Sequence, residues 1–327
     1  MSSNRPRQAL DPSTDRDDRT SGREAVVIPS LGSSELPKCL HAVAALNPAP
    51  DRVFVVLSGG AQPPTEAANT EVLSVPDRLG FATAVNLGIR HAAQTADHIA
   101  LLNDDAVPPA RWLGALTRAL VDDAGLAAVQ GTITDQSGDQ VDGRGISLDQ
   151  WNLPVQIDRG TSASPDDGGR RSILAVSGTA ALYRTDALLA ASIGDAAPFD
   201  PAFGSYHEDL DLGLRLVRLG WRAAWVGGVP TRHLGSNTGS RLQWRHPWWV
   251  LANRWRALAG NLTGQALIGA LPRMARGELR AVRTLVRDNP RSLPVSAAVL
   301  TAWPAIVAIS MRRRTPGPRL ASLPEDP

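Results

Sequence analysis

The sequence predicts an α/β protein built on a mostly parallel central sheet, and three observations carry the prediction. Short apolar runs alternate with helical patterns from Ala25 to the helix opened by Pro108 and Pro109. Strand followed by helix, repeated, marks a parallel sheet whose faces are covered by the helices between its strands. The 327 residues are enough to bury a sizeable core as one large domain plus an appendage. Finally, two adjacent carboxylates, Asp104 and Asp105, close the apolar run "HIALLN", and ligands of such sheets bind at the carboxyl ends of strands.

The elements follow in order. Residues 1–22 are rich in Asp, Arg, Ser and Pro, lack apolar periodicity and read as a disordered leader. "AVVIP" (25–29) is a first strand and Leu36–Leu46 a helix; "RVFVVLSGG" (52–60) and "EVLSV" (71–75) are strands, and Ala82–Ala93 a helix. "HIALLN" (98–103) is the next strand, with a helix opened by Pro108 and Pro109. Between Gly131 and Arg171 the pattern weakens, and "TSASPDDGGRR" (161–171) reads as a mobile loop. Order resumes at "ILAVSGTAALY" (173–183), followed by an acidic helix at "YHEDLDLGLRLVRLG" (206–220) closed by Gly220, and a last strand at "WRAAWVGG".

The net charge of +2 hides an asymmetry: residues 1–240 carry 20 Lys and Arg against 28 Asp and Glu, whereas residues 241–327 carry 14 against 4. The basic end is expected to meet something anionic or simply solvent. It is helical in composition and rich in tryptophan, and it contains 20 uncharged residues at 292–311. That length suffices to span a bilayer. A span would, however, place Arg312, Arg313 and Arg314 on the non-cytoplasmic side, against the positive-inside bias, and Pro294 and Pro304 weaken the helix. In-plane or re-entrant membrane association, a true span and a buried helix of a soluble domain all stay open. Trp244, Trp248, Trp249 and Trp255 suit either a membrane interface or packing against the preceding domain. Residues 315–327 read as a disordered tail. The single cysteine, Cys39, excludes an internal disulfide and a multi-cysteine metal site, and the absence of a signal-like run near the start makes the cytoplasm the default expectation.

Two constellations carry chemistry. Pro108 and Pro109 start their helix too late for Asp104 or Asp105 to cap it. Paired carboxylates at a strand end become tolerable if a divalent cation neutralises them, and Mg²⁺ or Mn²⁺ takes one or two carboxylates while water and phosphates fill its other positions. In "HEDLDLGLR" (207–215), Asp211 and Arg215 form an i,i+4 pair and acids complement the helix dipole. Three carboxylates exceed that need, so one can serve as a general base. His233, after the last strand, is a candidate ligand or an ordinary surface residue.

Taken together and in this order, the segments from Ala25 to about Ser240 resemble family 2 glycosyltransferases of the GT-A fold, in the bacterial rhamnosyltransferase-like branch. The resemblance rests on "VVIPS", "LGFATAVNLGIRHA" (79–92), "LLNDDA", "SGTAALYRTDAL" (177–188) and "FDPAFGSYHEDLDLGLRLVRLGWRAAWV" (199–226) followed by His233. It implies a GT-A catalytic domain over 23–240 and a basic helical, membrane-associating extension over 241–314. It implies Asp105 and His233 as ligands of Mg²⁺ or Mn²⁺, Asp104 at the nucleotide sugar, and Asp209 as the base that deprotonates the acceptor. Pro29 and Ser30 would border the nucleobase, Arg78 and Asn86 would line the donor pocket, and Gly178 would allow close substrate approach. The donor would be a sugar linked to dTDP or UDP, and the acceptor a saccharide or lipid-linked saccharide met at an anionic membrane surface on the cytoplasmic face. The turn "VVLSGG" departs from the family, with Leu57 where a base-recognising Asp is expected. Two other functions remain possible from the residues: a nucleotidyltransferase, although no Gly-rich, Lys-bearing triphosphate loop is visible, and a non-catalytic membrane-associated protein that binds nucleotide sugars. A nucleic-acid partner is not expected, because no stacking platform or recognition motif accompanies the basic face.

Overall fold

The computed structural model describes residues 22–62, 69–163, 168–194, 197–234 and 245–324. Apart from Gly22, the leader lies outside these residues, as do Trp244, residues 164–167 of the expected loop, and the expected domain boundary near 240.

The chain opens with β1 (Glu24–Ser30), α1 (Leu36–Ala44), β2 (Arg52–Ser58), β3 (Thr70–Val75), α2 (Phe81–Ala92) and β4 (His98–Leu102). β1 pairs in parallel with β2 and β4, and β2 with β3. α1 crosses over between β1 and β2, and α2 between β3 and β4, as parallel strands of one sheet require. Successive β1 residues face opposite cores: Val27 joins α2 residues Val85 and Ile89, while Val26 and Ile28 join α1 residues Leu36 and Leu40. A strand buried on both faces must be apolar at every position, which explains "AVVI". α2 lies flush on the sheet at Gly88, where an added Cβ would come within 2.3 Å of Val27 Cγ1.

β5 (Ala106–Val107), α3 (Trp112–Asp122) and β6 (Leu126–Gln130) follow. The weakly patterned stretch holds four short strands, β7 (Ile133–Thr134), β8 (Val141–Gly143), β9 (Ile146–Leu148) and β10 (Pro154–Gln156). Then come β11 (Arg170–Ile173), β12 (Ala180–Arg184), α4 (Thr185–Ala190), α5 (Glu208–Arg218), β13 (Arg222–Val226) and β14 (Thr231–His233). The main sheet has eight strands in the order β11-β13-β6-β12-β4-β1-β2-β3. It is mixed, because β12 runs antiparallel to both β4 and β6, and β11 antiparallel to β13. At 173–183, where the sequence pattern resumes, the chain leaves the sheet after Ile173 and re-enters at Ala180. One expectation changes here. Arg170 and Arg171, expected in a mobile loop, belong to edge strand β11, where the Arg171 guanidinium lies 4.5 Å over the Trp225 ring and 3.1 Å from Asp158.

Among the described residues, three C-terminal helices follow: α6 (Arg245–Asn261), α7 (Gly264–Asp288) and α8 (Leu293–Met311). They share one core with the preceding domain, in which Leu251, Trp255 and Leu258 of α6, Met274 of α7 and Val299 and Ile306 of α8 meet Phe203, Leu210 and Leu214. Trp255 and Trp303 pack edge to face at 5.3 Å. The expected disordered tail is ordered over residues 315–324. Leu320 exchanges backbone hydrogen bonds with Asn261 and Thr263, while the Arg218 guanidinium donates to Thr315 and to the carbonyls of Gly317 and Pro318. Arg313 departs from the membrane-flank expectation as well. Its guanidinium lies 2.6 Å from Asp200 and 3.2 Å from Asp211, over the Phe203 ring.

Candidate active site

A cleft of about 1740 Å³ opens over the carboxyl ends of β1, β2 and β4 and the amino end of α5. Pro29, Ser30, Arg78, Asp104, Asp105, Gly178, Asp209 and His233 line it, so eight of the nine expected site residues converge there. Asn86 does not. It is 2% exposed, and its amide donates to the Phe199 carbonyl at 2.6 Å and accepts from the Phe199 N–H at 3.0 Å. Both ends of that amide serve to tie α2 to the segment before α5, which leaves nothing for a donor.

The parallel pairing of β1 with β4 brings Ser30 beside the turn that follows β4. Ser30 Oγ donates to Asp104 Oδ2 at 2.5 Å and accepts from the Gly32 N–H at 3.0 Å. Burial lifts the Asp104 carboxyl to about 6, with the Asp105 charge adding to the rise and the Ser30 hydrogen bond opposing it. A carboxyl so poised readily shares a cation or a proton.

The small sheet β5-β14-β7-β8 explains how His233 reaches Asp105 from 128 positions away along the chain. His233 pairs with Ala106, and the Leu234 N–H donates to the Asp105 carbonyl at 2.8 Å. The result is an Asp105 Oδ1 to His233 Nε2 separation of 3.4 Å, with Asp105 only 3% exposed. On the other side of the ring, Nδ1 lies 3.0 Å from Asp142 Oδ2, and Asp142 in turn meets Arg159 at 3.2 Å. Burial pulls the His233 pKa down, but the hydrogen bonds to Asp105 and Asp142 outweigh it and raise the value to about 9. When the ring is neutral and Nδ1–H faces Asp142, the Nε2 lone pair and the Asp105 carboxylate point at each other. Two acceptors so placed call for a cation between them, and the carboxylate that holds Nδ1–H is the usual outer partner of a metal-bound histidine. Imidazole nitrogen and carboxylate oxygen together suit a first-row divalent ion. Among the described residues no group of three or more His, Cys, Asp or Glu side chains is arranged around a metal position. The donor set therefore fits a cation whose remaining positions go to water and substrate phosphates.

Asp209 sits in the first turn of α5, half-buried on the cleft wall. Its Oδ1 accepts from the Leu210 N–H at 2.8 Å and its Oδ2 from the Gly178 N–H at 3.3 Å. Burial raises its pKa despite these hydrogen bonds. Glu208, 7% exposed, is raised far above the ordinary carboxylate range by burial and by the Asp209 charge. The pair therefore favours one anion, and the N–H groups select Asp209 to carry it. Gly178 reaches Asp209 because it lacks a side chain: a Cβ there would approach the Phe81 ring to 2.9 Å.

Sequence reasoning missed Asp142, Arg159, Ser58, Tyr206 and Trp249. Ser58, Arg159, Tyr206 and Trp249 line the cleft, and Asp142 orients His233. Asp142 and Arg159 lie where strands of two or three residues leave no readable period. Leu57, in place of the expected base-recognising Asp, is 1% exposed and points no polar group at the cleft.

A family model described as glycosyltransferase like family 2 matches residues 23–256. The chain belongs to this glycosyltransferase family. The match sets aside the nucleotidyltransferase alternative. GalNAc-T7, in a crystal structure with UDP, GalNAc and Mn²⁺, is similar at a TM-score of 0.57 and 14% identity, covering 76% of this chain and 49% of its own. The present chain thus spans about half the length of that relative. The mannosyltransferase PcManGT from Pyrobaculum calidifontis, in complex with GDP-Man and Mn²⁺, is similar at a TM-score of 0.51 and 15% identity, covering 90% of this chain and 88% of its own. These likenesses show the GT-A fold. No curated protein matches the chain.

Proposed function

We propose that this glycosyltransferase moves a sugar, rhamnose or a related hexose, from a nucleotide diphosphate to a hydroxyl of a saccharide or lipid-linked acceptor, with inversion and with Mg²⁺ or Mn²⁺. The observation that carries the reading is the convergence of the Asp105–His233 pair and the half-buried Asp209 in one cleft. A bound divalent cation would supply charge neutralisation for the leaving diphosphate. Asp105 and His233 would hold that ion, with Asp142 fixing the histidine ring. Asp209 takes the proton of the acceptor hydroxyl as its oxygen bonds to the anomeric carbon. The bond from that carbon to the diphosphate breaks on the opposite face, and the diphosphate leaves with the electron pair. Pro29, Ser30, Ser58 and the exposed Arg78 border the space for the nucleotide, while Asp104 sits beside the metal position. The complexes of GalNAc-T7 with UDP, GalNAc and Mn²⁺ and of PcManGT with GDP-Man and Mn²⁺ support this donor class. Incubating the protein with a panel of nucleotide sugars, with and without Mn²⁺ or Mg²⁺, tests it. Metal-dependent release of a nucleoside diphosphate is expected, and cleavage of nucleoside triphosphates, or release from no donor, contradicts it.

A membrane-bound acceptor fits the C-terminal helices. Among the described residues, Pro290–Met311 is the one helical stretch long and apolar enough to cross a bilayer, and 22% of its apolar window is buried. α8 leaves Leu293, Leu300 and Ile309 exposed. On α7, Arg273, Arg276, Arg280, Arg283 and Arg287 recur at helical spacing and are exposed. With Arg313 held by Asp200 and Asp211, α8 is tied to the catalytic domain at its end, which supports an in-plane position over a span. Each arginine near an anionic leaflet contributes about 1 kcal/mol of attraction. The protein is expected to sediment with anionic vesicles at low salt and to be released by salt. Indifference to vesicles at low salt contradicts this part of the reading.

A further inference from the structure

The segment that delivers Asp209 is held in an unfavourable shape. Gly204, Tyr206 and His207 have φ of +67°, 71° and 67°, so three of the four residues before α5 adopt the left-handed region, two of them with side chains. Residues in that region persist only when their surroundings over-determine them. Here one side chain holds several of its carbonyls at once. Asn253 on α6 is 0% exposed, and its Nδ2 donates to three carbonyls of this segment, Phe203 at 2.8 Å, Ser205 at 2.9 Å and Tyr206 at 2.9 Å. Its Oδ1 accepts from Arg256 at 2.6 Å, and the same Arg256 nitrogen donates to the Ala202 carbonyl at 2.8 Å. Arg256 thereby fixes which way the amide points. The first hydrogen bond of α5, from the Asp211 N–H to the His207 carbonyl at 3.0 Å, begins where this clamp ends.

We infer that Asn253 is a positioning residue for catalysis, setting the turn that aims Asp209 into the cleft. Three converging carbonyl oxygens form an electronegative socket that only a donor of this size fills. Tyr206, whose carbonyl is one of the three, also lines the cleft, as does Trp249 one helical turn earlier on the same face of α6. The C-terminal helix thus contributes to the site itself as well as to the fold. The inference rests on Asp209 as the base.

Asn253→Asp keeps the volume and points an anion at the three carbonyls; Asn253→Ser leaves a single, shorter donor in place of two, without a charge. Leu258→Ala, in the core of the same helix, serves as the destabilised comparison. Two quantities are read: backbone amide exchange over residues 205–210 without substrate, and kcat against KM for transfer. For Asn253→Asp we expect exchange there to quicken by about 10-fold or more while the β-sheet amides hold, and kcat to fall about 100-fold with donor KM within roughly 3-fold. Asn253→Ser follows in the same direction, and Leu258→Ala keeps kcat near the parent value at a comparable loss of melting temperature. Unchanged kcat in either folded Asn253 variant, or an equal kcat loss in Leu258→Ala, overturns the inference. Should the parent transfer no sugar, the proposed function fails, and the exchange measurement alone decides whether Asn253 holds the turn.

Discussion

Asp209→Asn is expected to lower kcat for sugar transfer by about 10³-fold while leaving donor affinity nearly unchanged. The substitution keeps the size of the side chain and one of its two contacts with the Gly178 and Leu210 N–H groups, because the amide has a single acceptor oxygen. What it removes is the proton acceptor. The pH profile supplies an independent reading. Because burial raises the Asp209 pKa, the fraction ionised, and with it kcat, falls as pH drops through a value above the ordinary aspartate range near 3.9. That acidic limb is expected in the parent protein and absent from the residual activity of the variant. Near-parent kcat in Asp209→Asn, measured by nucleoside diphosphate release, would remove Asp209 from the mechanism.

The second large effect is on stability, two residues further along the same helix. Asp211 is fully buried and accepts from Arg215 Nε at 3.0 Å, Asn261 Nδ2 at 2.9 Å and both terminal nitrogens of Arg313 at 3.2 Å. Arg215, also fully buried, donates further to the carbonyls of Ala191 and Pro198. Removing the carboxylate with Asp211→Ala leaves the buried Arg215 guanidinium without its carboxylate and Arg313 with Asp200 alone, and is expected to destabilise by about 3–5 kcal/mol, read from denaturant unfolding. Burial works against the Asp211 charge, but Arg215 and Arg313 outweigh it and hold the pKa below the ordinary value. A depressed folded-state pKa adds stability that is complete above the unfolded value and disappears as pH falls through the folded one. Parent stability is therefore expected to decline in acid below about pH 4, and the variant to lose this part of the decline. A loss under about 1 kcal/mol would show that solvent or a repacked Asp200 replaces Asp211.

The fold was legible where helices carry strand to strand. From β1 to β4 each apolar run faces two cores, so its composition alone announces a covered parallel sheet. Asp104 and Asp105 could be read for the same reason, since the strand before them ends at a defined edge. Legibility stopped where partners are distant and local pattern is short. Asp142 meets His233 across 91 positions, on a three-residue strand. Asn86 carries the residue type of a binding group, and only the Phe199 backbone opposite it shows that the amide is structural. Arg313 belongs by sequence to a triple-arginine flank, yet its charge answers Asp200 and Asp211 more than 100 positions earlier. The left-handed turn at Tyr206 and His207 has no sequence signal, because glycine or asparagine would be the usual residue there and neither stands at those positions.

The most direct measurement is the anomalous scattering of Mn²⁺ in crystals grown with a nucleoside diphosphate. The account predicts a single Mn²⁺ peak within about 2.5 Å of an Asp105 oxygen and His233 Nε2, touching the diphosphate, and its loss in Asp105→Asn. Mn²⁺ elsewhere, or a nucleotide bound outside the cleft that holds Asp209, would contradict it.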